Sequence, residues 1–152
     1  MRGAAPRVTL ADMDHANERA CPFCRADAES VFYEDELVLG LWDAFPVSPG
    51  HALLVPRRHA PTWFDATEEE QAALLKAIAK AKEAIERRYS PDGWNIGVNV
   101  GAAGGQSVFH LHVHVIPRYA GDAAKPRGGV RHVVSGKADY PQAGGEEGAS
   151  RV

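Results

Sequence analysis

The sequence predicts an α+β domain: an antiparallel sheet of about five strands with one long helix packed on it. Three observations predict it. The elements read in the order β-β-β-α-β-β, with hairpin-length links among the strands. The single clear helix carries its own start signal and one apolar stripe. The glycine-rich loop between the last two strands is too short for a crossover helix, so those strands must pair antiparallel. At 152 residues and 45% hydrophobic content, the chain can build one domain with a real core, but not two comfortable ones.

Taken in order, SVFYED (30–35) and LVLGLWDA (37–44) read as two strands joined at the charged turn Glu34-Asp35-Glu36. A third strand, HALLVP (51–56), is entered through the Pro- and Gly-bearing loop FPVSPG and closed by Pro56. The helix is TEEEQAALLKAIAKAKEAIERRY (67–89): Thr67 and Glu70 form a capping box, and acidic residues crowd its first turn. Leu74, Ile78, Ala81 and Ile85 repeat at three-and-four spacing as one apolar stripe, and Pro91 prevents continuation. WNIGVNVG (94–101) is the fourth strand, GAAGGQS the glycine loop, and the segment from 107 onward a fifth strand ended by Pro117. Residues 1–20 read as a flexible arm and 141–152 as a flexible tail, leaving 21–140 for the domain.

Composition excludes several functions. A net charge of −3 argues against electrostatic nucleic-acid binding. No apolar run is long enough to cross a bilayer, and the charged N-terminal stretch lacks the apolar segment of a secretory signal. A cytoplasmic protein is expected, with its two cysteines reduced. Those cysteines stand as CPFC, Cys21 and Cys24. A thioredoxin-type redox pair should open a helix after a strand, whereas a polar stretch precedes this one. A knuckle giving two thiolates to zinc fits better, provided two more ligands exist.

The densest chemistry lies in SVFHLHVHVIPRY (107–119), which holds three of the seven histidines, His110, His112 and His114. On a strand, residues two apart share a face, so Val108 and the three imidazoles would point one way while Phe109, Leu111, Val113 and Val115 face the core. Two chemistries use several histidines on one strand. One is a metal site with three imidazoles and an open position. The other is phosphoryl or nucleotidyl transfer with one imidazole as nucleophile. The preceding GGQS favours the second, since glycines let backbone approach an anion while Gln106 and Ser107 offer neutral donors.

From Asn99 onward, N-x-G-x-x-x-G-Q-S-x-x-H-L-H-V-H-V-I-P-R resembles the signature of the histidine triad (HIT) superfamily, and WDAFPVSPGHALLVPRRH is similar to that family's nucleotide-binding stretch. The likeness spans roughly residues 21 to 120. The HVIPR ending resembles the dinucleoside polyphosphate hydrolase (fragile histidine triad) branch, and histidine at position 114, where transferases of the superfamily usually carry glutamine, points to hydrolysis. The resemblance implies a HIT-like fold and cleavage at an α-phosphorus of a dinucleoside polyphosphate or nucleoside phosphoramidate. His112 would be the nucleophile, forming a nucleotidyl-histidine, with His114 supporting the leaving group and water attack and His51 completing the cluster. Gln106, Ser107 and Asn99 would bind phosphate oxygens; Asp43 would accept from the ribose hydroxyls or serve as a turn acid. Trp42 and Phe45 read as core more than as base-stacking groups. The resemblance also implies a structural zinc on Cys21, Cys24, His59 and His110, no metal in the chemistry itself, a purine nucleotide substrate and a homodimer. A nucleotidyltransferase or phosphorylase, and a nucleotide-binding protein without useful turnover, are the alternatives. The basic stretch 125–137 reads as a phosphate-contacting or a solvated loop.

Overall fold

The computed structural model describes residues 20–139, in two compact units, one ending at Tyr119 and one beginning at Ala120. Residues 1–19 of the expected arm and all of the tail at 141–152 lie outside the described residues. The second unit contributes a short 3₁₀ turn, Gly129–Val133, in which the Arg131 guanidinium donates to the Lys137 and Ala138 carbonyls.

The first unit is the expected α+β architecture. Its strands are β1 (Val31–Glu34), β2 (Val38–Trp42), β3 (Ala52–Pro56), β4 (Gly93–Val98) and β5 (Val113–Arg118), and its helix α1 spans Glu68–Glu86. The sheet runs β1-β2-β3-β5-β4 and every neighbouring pair is antiparallel. The turn between β1 and β2 is built by Asp35, whose carboxylate accepts the Leu37 and Val38 N–H groups at 2.8 and 2.7 Å. The capping box at Thr67 and Glu70 forms as expected. Helix α1 connects β3 to β4, and β5 then inserts between those two strands.

One face of the sheet carries the main core. Val38, Ala52, Leu54, Val113 and Val115 meet Leu74, Ala77, Ala81 and Ile85 of α1, with Leu111 beside them. Fully burying a side chain such as Leu54 contributes about 1.5–3 kcal/mol. The other face holds a smaller cluster of Leu41, Leu53 and Val55 against Phe23 and Ala26. Leu53 is the register partner of His114, so that histidine stands on the face away from the helix. The helix side therefore stabilises the fold, and the opposite side is available for chemistry.

Three boundaries differ from the sequence reading. Strand β5 begins at Val113, so His110 and His112 lie on the segment leading into it. That segment bonds elsewhere: the Leu111 N–H donates to the Ala60 carbonyl at 2.7 Å instead of joining a ladder. Phe109, assigned to the core face by alternation, is 52% exposed for the same reason. Pro117 does not end the strand. β3 pairs with β5 only through Val115, so the proline sits where one side of the strand carries no ladder and its missing N–H costs no bond. Finally β4 stops at Val98, with Asn99 just beyond its last pair, Val98–Val113.

Candidate active site and metal cluster

The site is built from four backbone pieces: the turn around Cys21–Cys24, the start of β3, the segment 57–61 that follows it, and the run from Gln106 into β5. The 57–61 segment is pinned on both sides. Arg57 donates to the Asp35 carbonyl and to Glu34, and Arg58 makes a two-point contact with Glu70 at 2.9 and 2.7 Å. Glu70 is nearly fully buried at the first turn of α1, so this pair ties His59 to the helix start.

Hydrogen bonding fixes the two ring protons that matter most. Nδ1 of His112 lies 2.8 Å from the His110 carbonyl oxygen. A carbonyl only accepts, so Nδ1 carries the proton and Nε2 keeps its lone pair. Nε2 of His110 lies 2.8 Å from the Pro56 carbonyl, so there Nε2 carries the proton and Nδ1 is the lone-pair nitrogen. That nitrogen faces sulfur: it is 3.4 Å from Sγ of both Cys21 and Cys24. Nδ1 of His59 is 3.2 Å from Cys24 Sγ. One ligand atom from each of these four residues lies within 4.8 Å of the others. A tetrahedral zinc with about 2.3 Å to sulfur and about 2.0 Å to nitrogen has S···N edges of roughly 3.5 Å. The donor set and its spacing fit. Burial, ahead of the neighbouring His59 and His112 and against the Pro56 carbonyl, pushes His110 down to about 4, which keeps it neutral and able to ligate.

A second chain of contacts runs along the start of β3. Nε2 of His51 is 3.0 Å from Nδ1 of His114. On its other nitrogen, His51 meets the Val47 N–H at 3.2 Å and a carboxylate oxygen of Asp43 at 3.3 Å. One of those neighbours donates and the other accepts, so both ring tautomers of His51 find a partner. With the proton on Nε2, His51 donates to His114 and leaves the far nitrogen of His114 protonated. With it on Nδ1, His114 donates inward and its far nitrogen becomes a base. The arrangement lets one imidazole act as acid and then as base. The His112 and His114 rings lie 5.0 Å apart, and Phe23 packs 5.1 Å from His112.

The remaining expected residues are distributed less evenly. Ser107 is exposed and borders an open cleft of about 580 Å³ that Cys21, Pro22, His59 and Pro61 also line. Asn99 is half-buried, one residue past the β4 pair nearest His112. Gln106 is buried, and its side chain is spent on backbone: Nε2 donates to the Pro61 and Val108 carbonyls at 2.6 and 3.1 Å, and Oε1 accepts the Gly101 N–H at 2.9 Å. The Gln106 amide, expected to face phosphate, thus ties the glycine loop to Pro61 and Val108, with Gly105 in the left-handed region at its end. Asp43 already accepts the Phe45 N–H on its other oxygen at 2.8 Å. Trp42 is half-buried against Phe32, whereas Phe45, read as core, is 88% exposed on the loop after Asp43. Sequence reasoning missed Phe23 as the packing partner of two triad rings and the Arg58–Glu70 tie. The first could have been suspected from an aromatic residue inside CPFC.

A pH effect follows from the packing of these rings. Burial first, then the nearby His112 and His51, pushes His114 down to about 4, with Asp43 pulling the other way. Burial also lowers His51, again opposed by Asp43. Both folded values sit below the unfolded one near 6.5. The folded chain therefore binds fewer protons, and this contribution is present above about pH 6.5 and lost as pH falls towards 4. For His114 it is on the order of 1–2 kcal/mol once partial exposure is allowed for. Urea midpoints should fall between about pH 6.5 and 5, above the carboxylate range, and His114→Gln should flatten that fall. Equal slopes in both proteins would contradict the assignment.

Comparison with known proteins agrees with this geometry. The HIT domain family model matches residues 25–121. An AP-4-A phosphorylase of Mycobacterium tuberculosis is 42% identical over 94 residues, 61% of this chain and 48% of that protein. An adenylylsulfatase of Arabidopsis thaliana is 37% identical over 102 residues, 64% of this chain and 52% of that one. The chain thus spans about half the length of both enzymes. The crystal structure of a zinc-bound histidine triad family protein from Mycobacterium smegmatis superposes with a TM-score of 0.63 at 36% identity, covering 69% of this chain and 79% of the other. Among the described residues, no helix is long and apolar enough to cross a membrane. With the family model matching residues 25–121, well over half of the chain and most of the first unit, the chain belongs to the histidine triad family.

Proposed function

We propose that this protein is a nucleotide hydrolase that attacks the α-phosphorus of dinucleoside polyphosphates or nucleoside phosphoramidates through Nε2 of His112. A nucleotidyl-histidine forms, and water then releases a nucleoside monophosphate. The single observation that carries the reading is the His112 Nδ1 contact to the His110 carbonyl, which leaves on Nε2 the lone pair a nucleophile needs. The His51–His114 contact supports the two proton transfers, first to the leaving group and then from water. Ser107 and Asn99 are assigned to phosphate oxygens, Asp43 to the ribose, and Gln106 to the shape of the loop that presents Ser107. Cys21, Cys24, His59 and His110 would hold a structural zinc that takes no part in bond making. We further assign a two-fold dimer, for which an edge strand such as β4 offers unpaired backbone groups.

A second reading, phosphorolysis, draws on the similarity to the mycobacterial phosphorylase. Both readings share the first covalent step and differ in what attacks the intermediate. The test is rapid-quench intact-mass spectrometry after mixing with diadenosine polyphosphates, adenylyl sulfate and adenosine phosphoramidate, with and without inorganic phosphate. An AMP-sized adduct followed by AMP supports hydrolysis. An adduct resolved as ADP only when phosphate is present supports phosphorolysis. Neither adduct nor product from any substrate would overturn the enzymatic reading and favour a nucleotide-binding role.

A further inference from the structure

We propose that Cys21 and Cys24 form a reversible disulfide on exposure to hydroperoxides, and that this modification slows attack by His112. The inference rests on the function proposed above and deepens it by naming a control on the same site.

Two features make the pair oxidisable. The two sulfur atoms lie within 4.8 Å of each other, across a tight turn that brings residues 21 and 24 together. Cys24 is exposed, and buried Cys21 lines the open cleft, so a small oxidant reaches both. In the reaction, the Cys24 thiolate attacks one peroxide oxygen, the O–O bond breaks, and hydroxide leaves and is protonated to water. The resulting sulfenic acid is attacked by the Cys21 thiolate; an S–S bond forms and a second water departs. Two thiols are oxidised by two electrons and one peroxide is reduced to two waters.

The consequence reaches the nucleophile in two steps. A disulfide closes the two sulfurs to about 2.05 Å and can no longer ligate as two thiolates. His110 then loses both thiolate partners at Nδ1, and its ring keeps the hydrogen bond to the Pro56 carbonyl and its edge contact with Phe23. The backbone carbonyl of that same residue is what holds Nδ1 of His112. Groups that orient a reacting ligand at one remove typically change activity by about 10- to 100-fold when lost.

The experiment uses the full-length, zinc-loaded protein, reduced, treated with hydrogen peroxide, and re-reduced with a dithiol. Intact mass reads the loss of two hydrogens, a colorimetric chelator reads zinc release, and peptide mapping reads the carbethoxylation rate of His112 by diethyl pyrocarbonate. AMP release from diadenosine polyphosphate is followed in parallel. Expected are a disulfide, stoichiometric zinc release, an altered His112 modification rate, and AMP release slowed about 10- to 100-fold, all restored by the dithiol. Cys24→Ser should give the same His112 modification rate as the oxidised wild type; if that variant does not fold, the wild-type cycle still decides. Oxidation that bypasses the disulfide, or a disulfide that leaves His112 chemistry unchanged, overturns the inference. A His112 response with no nucleotide turnover in any state upholds the coupling and counts instead against the proposed hydrolase.

Discussion

His112→Ala should lower the rate of AMP release by about 10⁴- to 10⁶-fold while leaving nucleotide affinity within a few-fold of wild type. That loss corresponds to about 5–8 kcal/mol of transition-state stabilisation. Among the described residues, no other group of the site is placed to replace it. The inner nitrogen of His114 is engaged by His51, and the proposed mechanism uses its far nitrogen for proton transfer. His110 directs its lone pair at the cysteines. Ser107 is an alcohol with no imidazole shown against it, so its oxygen is a poor nucleophile at neutral pH. Single-turnover kinetics with the variant, checked for folding by thermal melting, read this directly. A loss smaller than about tenfold, or an adduct that persists, would place the covalent bond on another residue and remove the basis for the proposed hydrolase.

How much of this was legible beforehand depended on whether the information was local. Helix α1 was legible because capping at Thr67 and Glu70 and the 74–78–81–85 stripe involve neighbours in sequence. Strand order was only partly so: the antiparallel pairing of β4 and β5 follows from the short glycine loop, whereas the insertion of β5 beside β3 depends on a contact 61 residues apart in the chain, Leu53 with His114. Alternation placed Leu111, Val113 and Val115 in the core correctly and failed at Phe109, because the segment before Val113 bonds to Ala60 and not to a strand. The period-two argument holds only where a ladder enforces it.

The same distinction divides the site. The CPFC spacing pointed to a pair of thiolate ligands, the family resemblance supplied His59 and His110, and the structure brings those four side chains together. Which nitrogen of each ring bears a proton was not legible, because the deciding acceptors are backbone carbonyls, of Pro56 and His110, that carry no sequence signal. Gln106 is the clearest case. Its amide beside a glycine loop suggests a ligand for an anion, yet the partners that claim it are main-chain groups of Gly101, Pro61 and Val108. A glutamine offers the same donors to a phosphate and to a loop; only the fold decides between them.

That decision can be read from Gln106→Glu, which should destabilise the protein by about 3–5 kcal/mol at neutral pH. The substitution keeps the shape and one acceptor for the Gly101 N–H, but it turns the donor end into an oxygen facing two carbonyl oxygens in a buried position. Ionised, that group is both desolvated and repelled; protonated, its O–H can satisfy one of the two carbonyls. Its folded pKa must therefore rise above the unfolded value of about 4.3. The sign is opposite to that of the histidines. The folded variant binds more protons than the unfolded one, so its deficit against wild type is small near pH 4 and widens as pH rises, until the folded pKa is passed. Gln106→Ala, which removes the bonds without adding a charge, should be destabilised by an amount that does not vary with pH relative to wild type. Urea denaturation of the three proteins across this range separates the two roles. A widening deficit for glutamate alone, accompanied by loss of turnover in both variants, fits an amide that builds the loop presenting Ser107 and His110. Unchanged stability with a raised KM for an anionic substrate would instead return Gln106 to direct contact with phosphate.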